Sequence, residues 1–114
     1  MLINLKHKIK KRNIGLIGYG SIGKRHYKNL KNIFSSIKIF DPKYHEKKKV
    51  DEIYDDCEDI FICSPLNTHE KYLRKSMYLK KNIFIEKPFL LNTKKFYNSI
   101  INYYKNQKII YVGF

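Results

Sequence analysis

Three glycines at fixed spacing, in Gly18-Tyr19-Gly20-Ser21-Ile22-Gly23, and a carboxylate eighteen residues further on, Asp41, are the residues best placed to do chemistry in this 114-residue chain. A G-x-G-x-x-G run becomes informative when a strand precedes it and a helix follows. In that context Gly18 allows a tight turn as the chain leaves the strand. Gly20 lets the backbone approach a pyrophosphate with no Cβ in the way, and Gly23 lets the helix lie close to the sheet. The free N–H groups and positive dipole end of that helix then face the anion. Tyr19, Ser21 and Ile22 complete the loop and are counted with its binding residues. Asp41 is spaced to accept from a ribose diol and to repel a 2′-phosphate, which favours NAD over NADP, while Lys43 keeps NADP open. The plainer reading, a glycine turn and a surface aspartate, is outweighed by the elements on either side.

Those elements follow from hydrophobic periodicity. Residues 13–17 form a short apolar run that reads as a buried strand, and 21–34 carries Ile22, Tyr27, Leu30, Ile33 and Phe34 at near-helical spacing. A second strand spans 36–40 and is broken by Pro42, after which 44–56 is a polar, helical crossover. A third strand over 59–63 ends at Ser64-Pro65. A helix over 68–80 turns Tyr72, Leu73, Met77 and Leu79 inward. A fourth strand, 82–85, is stopped by Pro88. Asn92 or Thr93 caps a helix to about 105 with Phe96, Ile100, Ile101 and Tyr104 on its apolar face, and 108–112 is a fifth strand. Repeated β–α alternation with apolar strands predicts an α/β fold, a doubly wound, mostly parallel sheet of the Rossmann type. Residues 1–12 are a basic leader and 13–114 a single dinucleotide-binding domain.

Composition narrows the partners. The formal charge is +14, yet lysine outnumbers arginine 21 to 3 and alanine is absent, a bias spread over the whole chain. Arginine, the side chain suited to bidentate phosphate or guanine contact, is nearly missing, so no specific nucleic-acid partner is expected. The charge still predicts non-specific attraction to polyanions at low salt. No run approaches the ~18 apolar residues of a membrane span, and the leader lacks a signal peptide's apolar centre and cleavage site, so a cytoplasmic protein is expected. Cys57 and Cys63 are the only cysteines, and His7, His26, His45 and His69 are scattered, so no metal site is expected.

Two further segments sit where such a sheet binds ligands, beyond the carboxyl ends of its strands: Ser64-Pro65-Leu66-Asn67-Thr68-His69 and Glu86-Lys87-Pro88. With these the chain resembles the Gfo/Idh/MocA oxidoreductases. The resemblance rests on the glycine loop followed by Lys24-Arg25-His26, on Asp41, and on the S-P-L-N-T-H and E-K-P turns, in the family's order and spacing over about residues 13–114.

The resemblance implies roles position by position. Lys87 is the catalytic residue, near the nicotinamide and the reacting hydroxyl, where its charge favours alkoxide character as hydride leaves. Glu86 lies near the nicotinamide ribose, and the Lys87–Pro88 bond is expected to be cis. Ser64, Pro65 and Asn67 line the groove, His69 is a positioning residue at the next helix start, and His26 packs on the first helix. Full-length relatives continue into a substrate domain that holds the proton-accepting pair, and no residue after Lys87 supplies such a base. The expectation is an NAD-binding domain of an oxidoreductase acting on a secondary alcohol of a sugar, nucleotide sugar or cyclitol, cut before its substrate domain. A separate chain would then supply that domain, and apolar surface near the fifth strand would promote self-association. The alternative is a non-catalytic NAD-binding module or remnant.

Overall fold

A computed structural model describes residues 11–87, 94–105 and 109–113. Expectations that rest on the leader, on Pro88 and its peptide bond, on Asn92 and Thr93, or on the side chains of Phe96 and Tyr104 lie outside the described residues. In chain order the elements are β1 (Asn13–Ile17), α1 (Ser21–Leu30), β2 (Ser36–Phe40), α2 (Lys49–Asp56), β3 (Asp59–Ile62), α3 (Leu66–Tyr78), β4 (Asn82–Ile85), α4 (Lys94–Lys105) and β5 (Ile110–Val112).

The five strands make one sheet in the order β2-β1-β3-β4-β5, and every pairing is parallel. The step from β1 to β2 moves outward on one side, and the later steps move the other way. With right-handed crossovers α1 lies on one face of the sheet and α2, α3 and α4 on the other. Side chains confirm this division. A Cβ built on Gly15 would come within 2.5 Å of Ile53 on α2. Strand alternation therefore turns the flanking Ile14 and Leu16, both fully buried, toward α1. On the α2–α3 face Ile17, Ile60, Ile62, Ile83 and Ile85 join Val50, Ile53, Tyr54, Tyr72 and Leu73 in one cluster, with Ile100 and Tyr103 of α4 packed against it. Each buried isoleucine or leucine contributes roughly 1.5–3 kcal/mol. Inside this core Tyr54 donates to the Tyr72 carbonyl (3.1 Å) and meets the Ser76 hydroxyl at 2.7 Å, so its phenol is paired although burial raises its pKa.

Element ends and inward faces differ from the periodicity in several places, and the crossover helix expected over 44–56 is α2, which begins only at Lys49, while β5 begins at Ile110. α1 stops at Leu30, because the N–H groups of Ile33 and Phe34 both turn back to the Leu30 carbonyl, and Ile33 is exposed. α1's inward stripe runs through Gly23 and Leu30, which leaves Ile22 exposed at the helix start. α3 begins at Leu66, directly after Pro65, and ends at Tyr78. Leu79, expected inside, is exposed at the cap, and Lys80 takes a left-handed φ of 57° that ends the helix. Ile101, also expected inside, is exposed on α4, and Cys63 lies just past β3 although its N–H still donates to the Ile17 carbonyl at 2.8 Å.

Candidate functional site

A parallel sheet gathers its strand-to-helix loops at one edge, and here the loops after β1, β2, β3 and β4 enclose a cleft of about 660 Å³. Gly18 has a φ of +99°, a conformation that favours glycine. A Cβ there would also meet the main chain of Cys63 and Ser64 at 2.5–2.7 Å. At Gly23 a Cβ would fall 2.0 Å from the Gly18 carbonyl oxygen, so this glycine sets how closely α1 packs on the loop. Gly20 is different, since a Cβ on it meets no atom of the described residues within 4 Å. Nothing among the described residues requires glycine there. The open space at the start of α1 does, if an extended anion lies against the backbone. No side chain caps α1, and its first turn carries no acidic residue, so its leading N–H groups are free to face an anion.

Asp41 closes the other side of the loop. Its Oδ2 accepts from the Tyr19 N–H at 2.7 Å and its Oδ1 from the Lys43 N–H at 2.8 Å. The Asp41 N–H in turn donates to His45 Nδ1 at 3.1 Å. Among the described residues these bonds leave one lone pair on each carboxylate oxygen, which suits the two neighbouring hydroxyls of a ribose. Tyr19 therefore acts through its backbone. Its ring packs edge-on against Tyr27 and Tyr44 with Lys24 over it, and it is not part of the cleft wall.

The loop after β3 supplies Ser64, Pro65 and Asn67. Thr68 Oγ1 lies 2.7 Å from Ser64 Oγ and donates to the Pro65 carbonyl at 2.6 Å, which locks the entry to α3. His69 is 2% exposed, and its Nε2 donates to the Ser64 carbonyl at 2.7 Å. Among the described residues its Nδ1 has no partner, a buried acceptor on a residue of the cleft wall that costs about 1–3 kcal/mol unless water or a ligand donor meets it. Cys63 also lines the cleft, with its thiol pushed up to about 12 by burial and by the Glu86 charge. It stays protonated at neutral pH and is no nucleophile.

Of the residues singled out from sequence, Gly18, Gly20, Ser21, Ile22, Asp41, Ser64, Pro65, Asn67, His69 and Lys87 converge on this one cleft. Asp41 follows β2 and Lys87 follows β4. In the order β2-β1-β3-β4 these strands are three spacings apart, about 14 Å. Gly23 stands behind the wall. Glu86 points elsewhere: its Oε2 pairs with His26 Nε2 at 2.7 Å on the α1 face of the sheet, where His26 also packs edge-on against Phe84. The cleft adds Pro42, Lys43, Cys63, Leu66, Thr68 and Tyr72 to the expected set. Tyr72 reads from sequence as a core residue, and it is one, 5% exposed. That it also forms cleft wall follows from its place one turn beyond His69 on α3. The glycine cradle, the open space over Gly20, the two available lone pairs on Asp41 and the orphan His69 nitrogen together fit a dinucleotide. Among the described residues no group of three or more His, Cys, Asp and Glu is arranged to hold a metal ion, and no helix is long and apolar enough to cross a membrane.

Comparison with known proteins agrees with this geometry. A family model described as an oxidoreductase family with an NAD-binding Rossmann fold matches residues 12–114. Myo-inositol 2-dehydrogenase of Thermotoga maritima is 32% identical over 89% of this chain and 35% of its own length. Among solved structures, GenD2 from gentamicin A biosynthesis in complex with NAD superposes with a TM-score of 0.74 at 16% identity, over 92% of this chain and 35% of that one. UDP-N-acetylglucosamine 3-dehydrogenase from Acidithiobacillus ferrooxidans does so at 0.73 and 20% identity, over 89% and 37%. This chain thus spans about a third of the length of the proteins it matches.

Proposed function

From the premise that this chain belongs to the Gfo/Idh/MocA family of oxidoreductases, as a Rossmann domain of the NAD-binding type, we propose that its cleft takes NAD in preference to NADP and serves hydride transfer at a secondary alcohol. The observation that carries this reading is the single cleft that joins the Gly18–Gly20 cradle and the α1 start to Asp41 at one end and Lys87 at the other. Asp41, held by two main-chain N–H groups, keeps acceptor capacity for the adenosine ribose and presents negative charge where a 2′-phosphate would sit. Lys43 is beside it, and its ammonium lies over the Tyr44 ring, 5.5 Å from the centroid. NAD, when bound, supplies the hydride acceptor or donor. Lys87 is exposed at the far end, free to orient a substrate hydroxyl and to stabilise developing alkoxide charge.

The substrate class we propose is a sugar, nucleotide sugar or cyclitol, supported by the relation to a myo-inositol dehydrogenase. A wall for such a substrate and a proton acceptor would come from polypeptide corresponding to the rest of those relatives. A second reading is a non-catalytic NAD-binding module, which the cleft's glycine cradle and Asp41 would serve equally well. Turnover of myo-inositol with NAD by the 114 residues alone would decide against that module.

The test of the cofactor assignment is calorimetric titration of NAD and NADP into the wild-type chain and Asp41→Ala. The expected result is at least tenfold weaker NAD binding in the variant, with NADP affinity equal or improved. Asp41→Asn, whose single amide oxygen can still accept from one of the two backbone N–H groups, disturbs the loop less than alanine and is expected to weaken NAD less. Unchanged NAD affinity in Asp41→Ala would sink the ribose assignment.

A further inference from the structure

Asp41 is held by its main chain as well as by its carboxylate, and one of the holding groups is a histidine ring. The Phe40 carbonyl accepts from the Gly18 N–H at 2.8 Å and so faces β1. A trans peptide sets its N–H opposite its carbonyl, so the Asp41 N–H points away from β1. β2 is the outermost strand in the order β2-β1-β3-β4-β5, and among the described residues no strand lies there to accept it. His45 Nδ1 takes that place at 3.1 Å. The turn closes from its other side as well, where the Tyr44 and His45 N–H groups both donate to the Asp41 carbonyl at 2.9 Å. The half-buried His45 ring lies against Phe40 and Tyr44, with centroid distances of 6.3 and 6.5 Å.

We propose that His45 is the positioning residue for Asp41, and that a proton on its ring weakens NAD binding. The proposal rests on the reading of Asp41 as the ribose acceptor. An imidazole nitrogen accepts from an amide only while it carries no proton, so the Asp41 bond fixes a neutral ring with its hydrogen on Nε2. Protonation puts a second N–H at Nδ1. Two donors then face each other at hydrogen-bond distance, and the Asp41 amide loses its partner. The turn after β2 loosens, and with it the carboxylate that the Tyr19 and Lys43 N–H groups orient. NAD affinity therefore falls as pH drops through the histidine range.

The charges around the ring come in opposite pairs. His45 lines a groove of about 300 Å³ between β2 and α2 with Lys38, Lys49, Glu52 and Asp56. Lys38 and Asp56 pair at 2.6 Å, and Glu46, next to His45 in the chain, pairs with Lys48 at 3.4 Å. Lys49 and Glu52 carry opposite charge on α2. Among the described residues that leaves the Asp41 carboxylate. A cationic ring competes with the ribose hydroxyls for it, which acts in the same direction as the lost bond.

Two measurements on the 114-residue chain test this. The first needs no cofactor. It is heteronuclear NMR of the histidine rings and backbone amides between about pH 8 and about pH 5.5, a range that spans the ordinary histidine pKa and lies above the ordinary carboxylate values. The expected result is an Nε2–H tautomer for His45 at the upper end. On acidification the Asp41, Tyr19 and Lys43 amide signals should move together with the His45 ring. The second is calorimetric titration of NAD over the same range, in which NAD itself has no titrating group. Wild-type affinity should fall at least fivefold toward the acid end. His45→Asn puts an uncharged carbonyl oxygen where Nδ1 lies, so it should keep the upper-end affinity within about threefold and lose the pH dependence. His45→Ala, with no acceptor, should bind NAD at the upper end as weakly as wild type does in acid.

An Nδ1–H tautomer or a flat wild-type profile overturns the proposal. A profile that survives His45→Asn also overturns it, since the titrating group would then be another, such as His69. NAD affinity that depends on Asp41 but not on His45 overturns this proposal alone. Affinity indifferent to Asp41→Ala sinks the ribose assignment and this proposal with it.

Discussion

Gly20 separates what the fold needs from what the ligand needs, at the scale of one residue. Its backbone lies in the extended region, with φ −80° and ψ −161°, which any residue adopts, and a Cβ would touch no atom of the described residues within 4 Å. Gly20→Ala should therefore change stability by less than about 0.5 kcal/mol in a thermal melt. The same methyl occupies the space over the α1 start, so NAD affinity should fall at least tenfold by titration. A variant that binds NAD normally would remove the pyrophosphate from this loop. Asp41 was legible from its distance to the glycines. The use of Tyr19 was not, because its contribution is a backbone N–H that any residue could supply. Glu86 shows the opposite case. Sequence gives its neighbour Lys87 and its turn, but only the strand's alternation turns its carboxylate to His26 and away from the cleft.

Elements carry the second level, and α1 is the clearest case. Its inner stripe begins at a glycine, so helix and loop approach more closely than any side chain permits: the Cβ of Gly23→Ala would lie 2.0 Å from the Gly18 oxygen. Moving α1 outward to relieve that clash should cost about 2–3 kcal/mol in chemical denaturation, and should disturb Leu30 and the Gly18 turn together. An alanine variant as stable as wild type would show that α1 can shift freely. Strand positions were legible almost to the residue, since short apolar runs are bounded by Gly, Asp-Pro and Ser-Pro breakers. Helix ends were less so. Ile33 and Phe34 continue the helical period, but the chain must turn there to start β2, and Leu79 is lost to a left-handed turn at Lys80. Local periodicity cannot register a constraint imposed by the next strand.

At the scale of the whole molecule the strands are tied at their amino ends by one ion pair. Arg12 precedes β1 and Asp59 opens β3, and Asn82 of β4 donates to the same Asp59 Oδ1 at 3.0 Å. Burial alone pushes the Asp59 carboxyl up, but hydrogen bonds from Arg12 and Asn82 outweigh it and hold the pKa below the usual aspartate value. A depressed folded-state pKa means the stabilisation is fully present above the unfolded value, about 4, and is lost as pH falls through the folded value. Asp59→Asn should therefore lower stability by about 1 kcal/mol near neutrality, a size limited by the half-exposed Arg12 side chain. The gap between variant and wild type should close in melts below about pH 4. A gap that persists unchanged in acid would assign the effect to packing.

Sequence by itself determined the βαβ grammar, the glycine cradle, Asp41 and the placement of Lys87 after the fourth strand. These depend on local backbone geometry and on spacings that a strand or a loop cannot stretch. Tertiary structure decided which of those residues share a cleft, that among the described residues His69 Nδ1 has no partner, that Glu86 turns to His26, and that Phe61, Phe84 and Tyr111 stack in one row. Those outcomes depend on strand order and on the side each crossover takes. Such relations join residues dozens of positions apart, and no local period in the chain encodes them.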